Sequence, residues 1–584
     1  MAIYRSDQAV VTFGAEAALG GYIEGASGSS PSGGTSTVKT GAANTIYAGD
    51  TSFTITSASG FSVGHYIQIG TLASAASEIR RIVAITGAVI HLDAPCGFDH
   101  APLQVIRGVV ELTDTDNDKF ITYIPGVYDT VTTPDMTPTI EPRYFLGTGA
   151  KRNFTAAYKG TQAFNGSIPS FILLNGWPLR FPIGKINSTM SASDSGSYIT
   201  GTDAKKGDYF LNLNSGSSFD AGDYIQIGAS AAVYEVNRVV TKSTNLIRLA
   251  TPLKRDHDVV SSSTVVVPMS GTGNTTYFTH TITETNELDS ISMDVHLRDS
   301  GETAANDFNR RYYGGKVGAA TIAAEEGGLL VMGWDTIPFM GGVHNQKLDD
   351  NFHATKAIPF HTLFQTIESD NIGSRSEYAA GDVATLKYPT QDPYYFSEGT
   401  VKLFGQTFAR VRNFSISINN NVEPRYYIER RGDSRVRGPS DIVEMRREYT
   451  MTATIALPDS EVSATGTTAS LFKELMLEGD YGLADGTNKG MKGFAIQLVF
   501  NKGAVMTGIE GSAIATVEHK MTIDIPTSGD PAAATAAATG LSTQGAFLTE
   551  APHPIDGSNP LEVSASLIFR NMGITIIDNQ GLYP

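Results

Sequence analysis

Residues 49–100, "GDTSFTITSASGFSVGHYIQIGTLASAASEIRRIVAITGAVIHLDAPCGFDH", and residues 207–257, "GDYFLNLNSGSSFDAGDYIQIGASAAVYEVNRVVTKSTNLIRLATPLKRDH", are two copies of one pattern. Gly49 and Asp50 match Gly207 and Asp208, and Tyr66–Gly70 matches Tyr224–Gly228. Glu78, Leu92 and Pro95 match Glu235, Leu249 and Pro252, and both copies close on Asp-His: Asp99 and His100, then Asp256 and His257. A chain that repeats a segment repeats the structural unit it encodes. Each copy carries four or five short strands, enough for a small barrel or sandwich but little for independent stability.

Strand patterns dominate elsewhere too. "TSFTIT" (51–56), "SISMDVHL" (290–297), "FSISI" (414–418) and "YTMTATI" (449–455) are apolar at every second position, as half-buried strands require. Helical signals are two: "SLFKELMLEG" (470–479), with Ser470 as cap and Gly479 as stop, and "PSFILLNGW" (169–177). The chain of 584 residues is long enough for two to four domains. Its single cysteine, Cys96, leaves no intramolecular disulfide and no four-thiolate metal site. A net charge of −17 disfavours a protein built to grip phosphate backbones. No apolar run approaches the roughly 20 residues of a membrane span, and the N-terminus lacks the pattern of a secretion signal. Residues 25–45, rich in Gly and Ser, read as a flexible approach to the first copy.

A second, wider duplication is carried by the tetrapeptide Glu141-Pro142-Arg143-Tyr144, which recurs as Glu423-Pro424-Arg425-Tyr426. After each comes a loop of glycine and basic residues, then a strand, then one of the two helical segments. Agreement of element order points to two tandem β-rich domains, with the fifty-residue copies as inserted modules.

The segments "YYFSEGTVKLFGQTFARVRNFSISINNNVEPRYYI" (394–428), "RGPSDIVEMRREYTMTATI" (437–455) and "NPLEVSASLIFRNMGITIIDN" (559–579) resemble the tail tube proteins of long-tailed bacteriophages. Residues 281–339 and, more weakly, "VTFGAEAALGG" at the start share the resemblance, which covers roughly half to two thirds of the chain and leaves out both modules. It implies a mainly β fold of two tandem β-sandwich or barrel domains, each with a flanking helix, plus two inserted β modules. The boundaries expected are 1–48 for the N-terminal segment and linker and 49–105 for module 1. The first tube domain takes 106–345, interrupted by module 2 at 200–265, and the second takes 346–584. The role implied is that of a virion structural protein, assembled in the host cytoplasm, whose rings stack into a conduit for genome delivery. Its partners would be itself and other tail proteins, with DNA as passing cargo, no membrane, no cofactor and no catalysis. Two domains per chain suggest a homotrimeric ring of pseudo-sixfold form, with a homohexamer as the alternative. A baseplate or host-recognition component, binding through the modules, is the other class of function.

Candidate contact residues follow from charge. Arg425, Arg430, Arg431, Arg435, Arg437, Arg446 and Arg447 gather basic charge in an acidic chain, and the equivalent arm keeps Arg143, Lys151 and Arg152. Planar guanidinium groups there are expected to pair with carboxylates on the next protomer or ring. His100 and His257 could be drawn as metal ligands, yet two residues per module are too few, and turn or strand-end roles are expected. Glu325 and Glu326, adjacent in a strand pattern, point to opposite faces and so make a poor acid–base pair. Arg431-Gly432-Asp433 spells an adhesion tripeptide short enough to arise by chance.

Overall fold

Alternating short segments in the sequence become strands throughout the computed structural model, which describes residues 4–16, 277–299, 308–344, 546–550 and 562–583. It also describes most of 35–108, 124–144, 154–191, 196–268, 392–427, 438–456 and 496–526. The protein is mainly β, built of several antiparallel sheets, with one short α-helix among the described residues.

Two seven-stranded sheets and a four-stranded sheet share one core. The first long sheet runs in the order Phe164–Ile172, Val331–Phe339, Ala319–Glu325, Val411–Asn419, Glu448–Ala456, Glu562–Phe569, Ala546–Glu550. Its middle join, Ala319–Glu325 against Val411–Asn419, pairs seven residues in register from Ala319 with Asn419 to Glu325 with Asn413. Both strands alternate: Ala320, Ile322 and Ala324 face the core beside Phe414, Ile416 and Ile418. At one end, residues 127 and 132 bridge to Ile172 and Ser167, so the segment before the first arm lies against Phe164–Ile172. The second long sheet runs Gly184–Met190, Phe278–Glu284, Gly573–Asp578, Ala513–Ile525, Ile496–Thr507, Gly399–Leu403, Gln406–Phe408. There the C-terminal strand lies between elements of both halves. The four-stranded sheet joins Tyr4–Ala15, Ile291–Asp299, Phe308–Gly315 and Gly341–His344.

Trp334 centres the shared core. Phe13, Phe171, Trp177 and Phe181 present their edges to it at ring distances of 5.1, 5.8, 6.1 and 5.9 Å. Such edge-to-face packing adds to the burial of these large rings.

The two fifty-residue copies fold alike. Each lies in a six-stranded sheet: Thr35–Thr37, Val105–Gly108, Tyr66–Ile69, Glu78–Thr86, Val89–Leu92, Ser52–Thr54 in the first, and Ser197–Tyr198, Val265–Pro268, Tyr224–Gly228, Glu235–Ser243, Leu246–Leu249, Phe210–Asn212 in the second. Register agrees, with Tyr66 opposite Arg81 and Tyr224 opposite Arg238, and with a bulge after Ile82 and after Val239. Even a side-chain clamp recurs: Ser36 Oγ accepts Ser57 N–H and Ser197 Oγ accepts Ser215 N–H, each at 3.0 Å. The first and last strands of each sheet are drawn together by the bridges Val38 with Ile55 and Ile199 with Leu213 and by the bonds of Thr56 N–H to Thr37 O and Asn214 N–H to Tyr198 O. Of the small barrel or sandwich expected, neither sheet forms a closed barrel ladder among the described residues.

The helix expected over Pro169–Trp177 is not formed. Pairing with Val331–Phe339 claims the backbone through Ile172, and the helical turn starts later, at Trp177–Leu179, continuing as an α-helix over Arg180–Ile183. Pro178, lacking an N–H, favours a helix start, and Gly184 at φ 135° ends it. The other expected helix, 470–479, lies outside the described residues.

Candidate assembly interface

Both Glu-Pro-Arg-Tyr segments open a two-stranded arm. The first pairs Ile140–Arg143 with Ala156–Lys159, the second Glu423–Arg425 with Asp441–Val443. Residues two apart on a strand share a face, and in each arm that spacing makes an ion pair: Arg143 with Glu141 at 2.7 Å and Arg425 with Glu423 at 2.8 Å. All four residues are exposed enough for these pairs to add little stability.

What marks the arms is apolar exposure. Ile140, Tyr144, Phe154 and Tyr158 stand 71, 66, 56 and 54% exposed on the first arm, and Tyr426, Tyr427 and Met445 are exposed at the second. An isolated two-stranded ribbon is marginal in water, and with Ile140 opposite Lys159 and Tyr158 opposite Glu141 this one exposes apolar side chains on both faces, as a contact element can. The Tyr426 hydroxyl donates to Gln162 O at 3.1 Å, so the second arm touches the base of the first.

The basic candidates divide. Arg143 and Arg425 lie on the arms, and Arg446 is exposed with Glu448 3.7 Å away. Arg447 is turned inward: its Nε donates to Asn420 Oδ1 at 2.6 Å, and Asn420 Nδ2 in turn reaches Pro182 O and Val317 O, both at 2.9 Å. That node ties the second half of the chain to the first. Arg430, Arg431, Arg435, Arg437, Lys151 and Arg152, with the Arg431-Gly432-Asp433 tripeptide, lie outside the described residues. Glu326 is exposed and held by Arg412 at 3.1 Å, while Glu325 ends its strand.

Sequence reading did not foresee a buried polar network on the second long sheet. Ser188, His280 and Asp578 come from three adjacent strands, are 3, 0 and 0% exposed, and form a line. Ser188 Oγ lies 2.7 Å from His280 Nδ1, and His280 Nε2 lies 2.8 Å from Gln580 O and 3.4 Å from Asp578 Oδ1. Tyr583 stacks on His280 at 3.6 Å, donates to Asp578 Oδ2 at 2.6 Å and accepts Gly176 N–H at 3.2 Å. A serine nucleophile needs room for a substrate carbonyl beside its oxygen, and here all three side chains are enclosed. The line braces the C-terminal residues against the sheet. Burial, then the Asp578 charge, pushes the Tyr583 hydroxyl well above its ordinary range. No local motif announces it, because its members are far apart in sequence.

Module 2 is anchored by a second network. His257 Nε2 donates to Glu235 Oε1 at 2.5 Å, both buried, and Lys254 N–H reaches Glu235 Oε2 at 2.9 Å. Burial alone would raise the Glu235 carboxyl, yet the His257 hydrogen bond and nearby cations hold it below its ordinary range. Asp289 takes Arg180 at 2.5 Å and Lys206 at 2.6 Å, and these cations overcome burial to hold its carboxyl far below the usual range. The Arg255 guanidinium donates to Ile186 O, Gln226 Oε1 accepts Met190 N–H at 2.8 Å, and Tyr224 packs on Phe278 at 5.3 Å. His257 is thus spent on a carboxylate, and His100 is buried at a bridge to Ile46. Among the described residues no group of three or more His, Cys, Asp or Glu could hold a metal ion. No described helix is long and apolar enough to cross a membrane.

No protein-family model matches the sequence, and a search of curated proteins finds no relative. The functional reading therefore rests on geometry and on the resemblance of the motifs quoted above.

Proposed function

We propose that the chain is a structural subunit that polymerises edge to edge into rings and stacked rings, in the manner of a phage tail tube, and forms a hollow conduit for genome. The observation that carries this reading is the first long sheet. Its order in the first half is the 127–132 segment, Phe164–Ile172, Val331–Phe339, Ala319–Glu325; in the second half it is Val411–Asn419, Glu448–Ala456, Glu562–Phe569, Ala546–Glu550. In each half the post-arm strand sits second and a hairpin follows it. This order supports reading the halves as two tandem units, with Ala319–Glu325 against Val411–Asn419 as the join between them. The same join repeated outward would set Ala546–Glu550 of one copy against the 127–132 segment of the next.

An edge strand left unpaired invites aggregation, whereas a ring of such joins removes edges by closure. The exposed apolar arms supply contacts beyond the ring plane. A lining that attracts DNA would hold it through counterion release, so the net charge of −17 suits passage. The arginines that the sequence sets between the two strands of the second arm, Arg430, Arg431, Arg435 and Arg437, would pair with carboxylates of the neighbouring copy.

Negative-stain microscopy of the purified protein tests the proposal. Open-ended tubes of uniform width are expected, and discrete particles that bind host envelope would reject it in favour of a recognition role. A variant with Arg430, Arg431, Arg435 and Arg437 changed to Ser should remain soluble and folded yet fail to polymerise. Normal tubes from it would remove the arginines from the contact.

A further inference from the structure

The backbone on either side of the buried Asn175 is held by a buried ionisable group from the other half of the chain. Its side chain is 5% exposed, and its Oδ1 has no hydrogen-bond partner. On one side, the carbonyl of Leu174 accepts a hydrogen bond from Lys502 Nζ. On the other, the N–H of Gly176 donates to Tyr583, whose hydroxyl is bound to Asp578. Lys502 is 4% exposed, with its Nζ 4.7 Å from the centre of the Tyr394 ring, and Asp578 is fully buried. An amide with an unsatisfied buried oxygen, an enclosed primary amine and an enclosed carboxylate are the three components of amide exchange.

We propose that Lys502 and Asn175 join in an intramolecular amide bond that staples the two halves of the chain, at a site bracketed by the Leu174 and Gly176 backbone contacts. The amine must be neutral to act as nucleophile. Burial favours that form, pulling the Lys502 ammonium down to about 8 against the opposing charges of Asp578 and Asp392, so that a fraction of the amine is neutral near pH 7. Nζ attacks Cγ of Asn175 and a C–N bond forms. The Asp578–Tyr583 pair relays the proton from Nζ to Nδ2, the Cγ–Nδ2 bond breaks, and ammonia leaves. No oxidant or cofactor enters the balance. Such a staple does for this chain what its lone cysteine cannot, since a disulfide needs two.

Intact-mass spectrometry of the folded full-length protein, followed by peptide mapping after proteolysis, tests the bond. The expected result is a mass lower by one ammonia than the sequence requires, together with a branched peptide joining the segments of Asn175 and Lys502. Asn175→Ser and Lys502→Met should each restore the full calculated mass. An unmodified mass in folded wild-type protein overturns the proposal, whatever the variants do. So does loss of ammonia mapped to a linear peptide, because the Asn175-Gly176 step can lose ammonia by closing on its own backbone.

Discussion

The energetics of single residues separate the core from the surface. Trp334 has four aromatic edges around it and no exposure, while its indole Nε1 has no hydrogen-bond partner. Trp334→Ala should therefore cost about 3–5 kcal/mol in denaturant unfolding. Trp334→Phe, which also deletes the unsatisfied N–H, should cost clearly less. Equal losses from the two would show that the indole ring is not the packing centre. At the module 2 anchor the sign of the pH response is fixed by Glu235 and Asp289, whose carboxyls are both held below their ordinary values. Above the ordinary carboxylate range of about 4 both states are ionised and the stabilisation is full. As pH falls through and below that range the unfolded chain takes up protons first, and stability is lost. Melting temperature should thus fall steeply below about pH 4, and more shallowly in Glu235→Gln, which itself should cost about 1–3 kcal/mol at neutral pH by removing a charge-assisted hydrogen bond. A variant with an unchanged acid limb would place the pH response elsewhere.

Among the described elements, the arms are two-stranded ribbons that expose large apolar side chains with no larger sheet around them. Changing Ile140, Tyr144, Phe154 and Tyr158 together to Ser should leave the melting curve of the dissociated subunit within about 1 kcal/mol of wild type, as exposed substitutions do. Sedimentation should show the same protein arrested as small species. A large drop in stability would instead mean that the arm packs within its own chain. The arms were legible in the sequence as a shared Glu-Pro-Arg-Tyr step, and the two modules as a shared fifty-residue pattern, because both are local repeats. The segment at 169–177 was misread because "SFILL" offers a helical spacing, and only the ladder to Val331–Phe339 decides against it. Gly333 shows how tight that ladder is: a Cβ there would meet Pro169 O at 2.4 Å. The Ser188–His280–Asp578 line and the Asn175 enclosure were invisible for the same reason, since long-range strand order brings their members together.

For the molecule as a whole, the number of chains per ring in the proposed tube would follow from the number of joins. Each chain holds one join inside itself, Ala319–Glu325 with Val411–Asn419, and offers half of another at each end of the first long sheet. A sixfold arrangement of such joins needs three chains, with three joins internal and three between chains. The two kinds respond differently to proline, which cannot donate to a ladder and is tolerated only at edges and bulges. Thr549 lies at a register shift in Ala546–Glu550, where the chain skips from Leu548 opposite Leu567 to Glu550 opposite Ser566. Thr549→Pro should spare the fold, block the outward join and yield single chains. Thr321→Pro, in the middle of the internal join opposite Ser417, should unfold the protein instead. Averaged end-on images of wild-type tubes should then show threefold rings with six similar lobes of two alternating kinds, because the two arms differ in charge. Six full-length chains per ring would refute the pairing of joins, and tubes from Thr549→Pro would show that the edge at Ala546–Glu550 is not where copies meet.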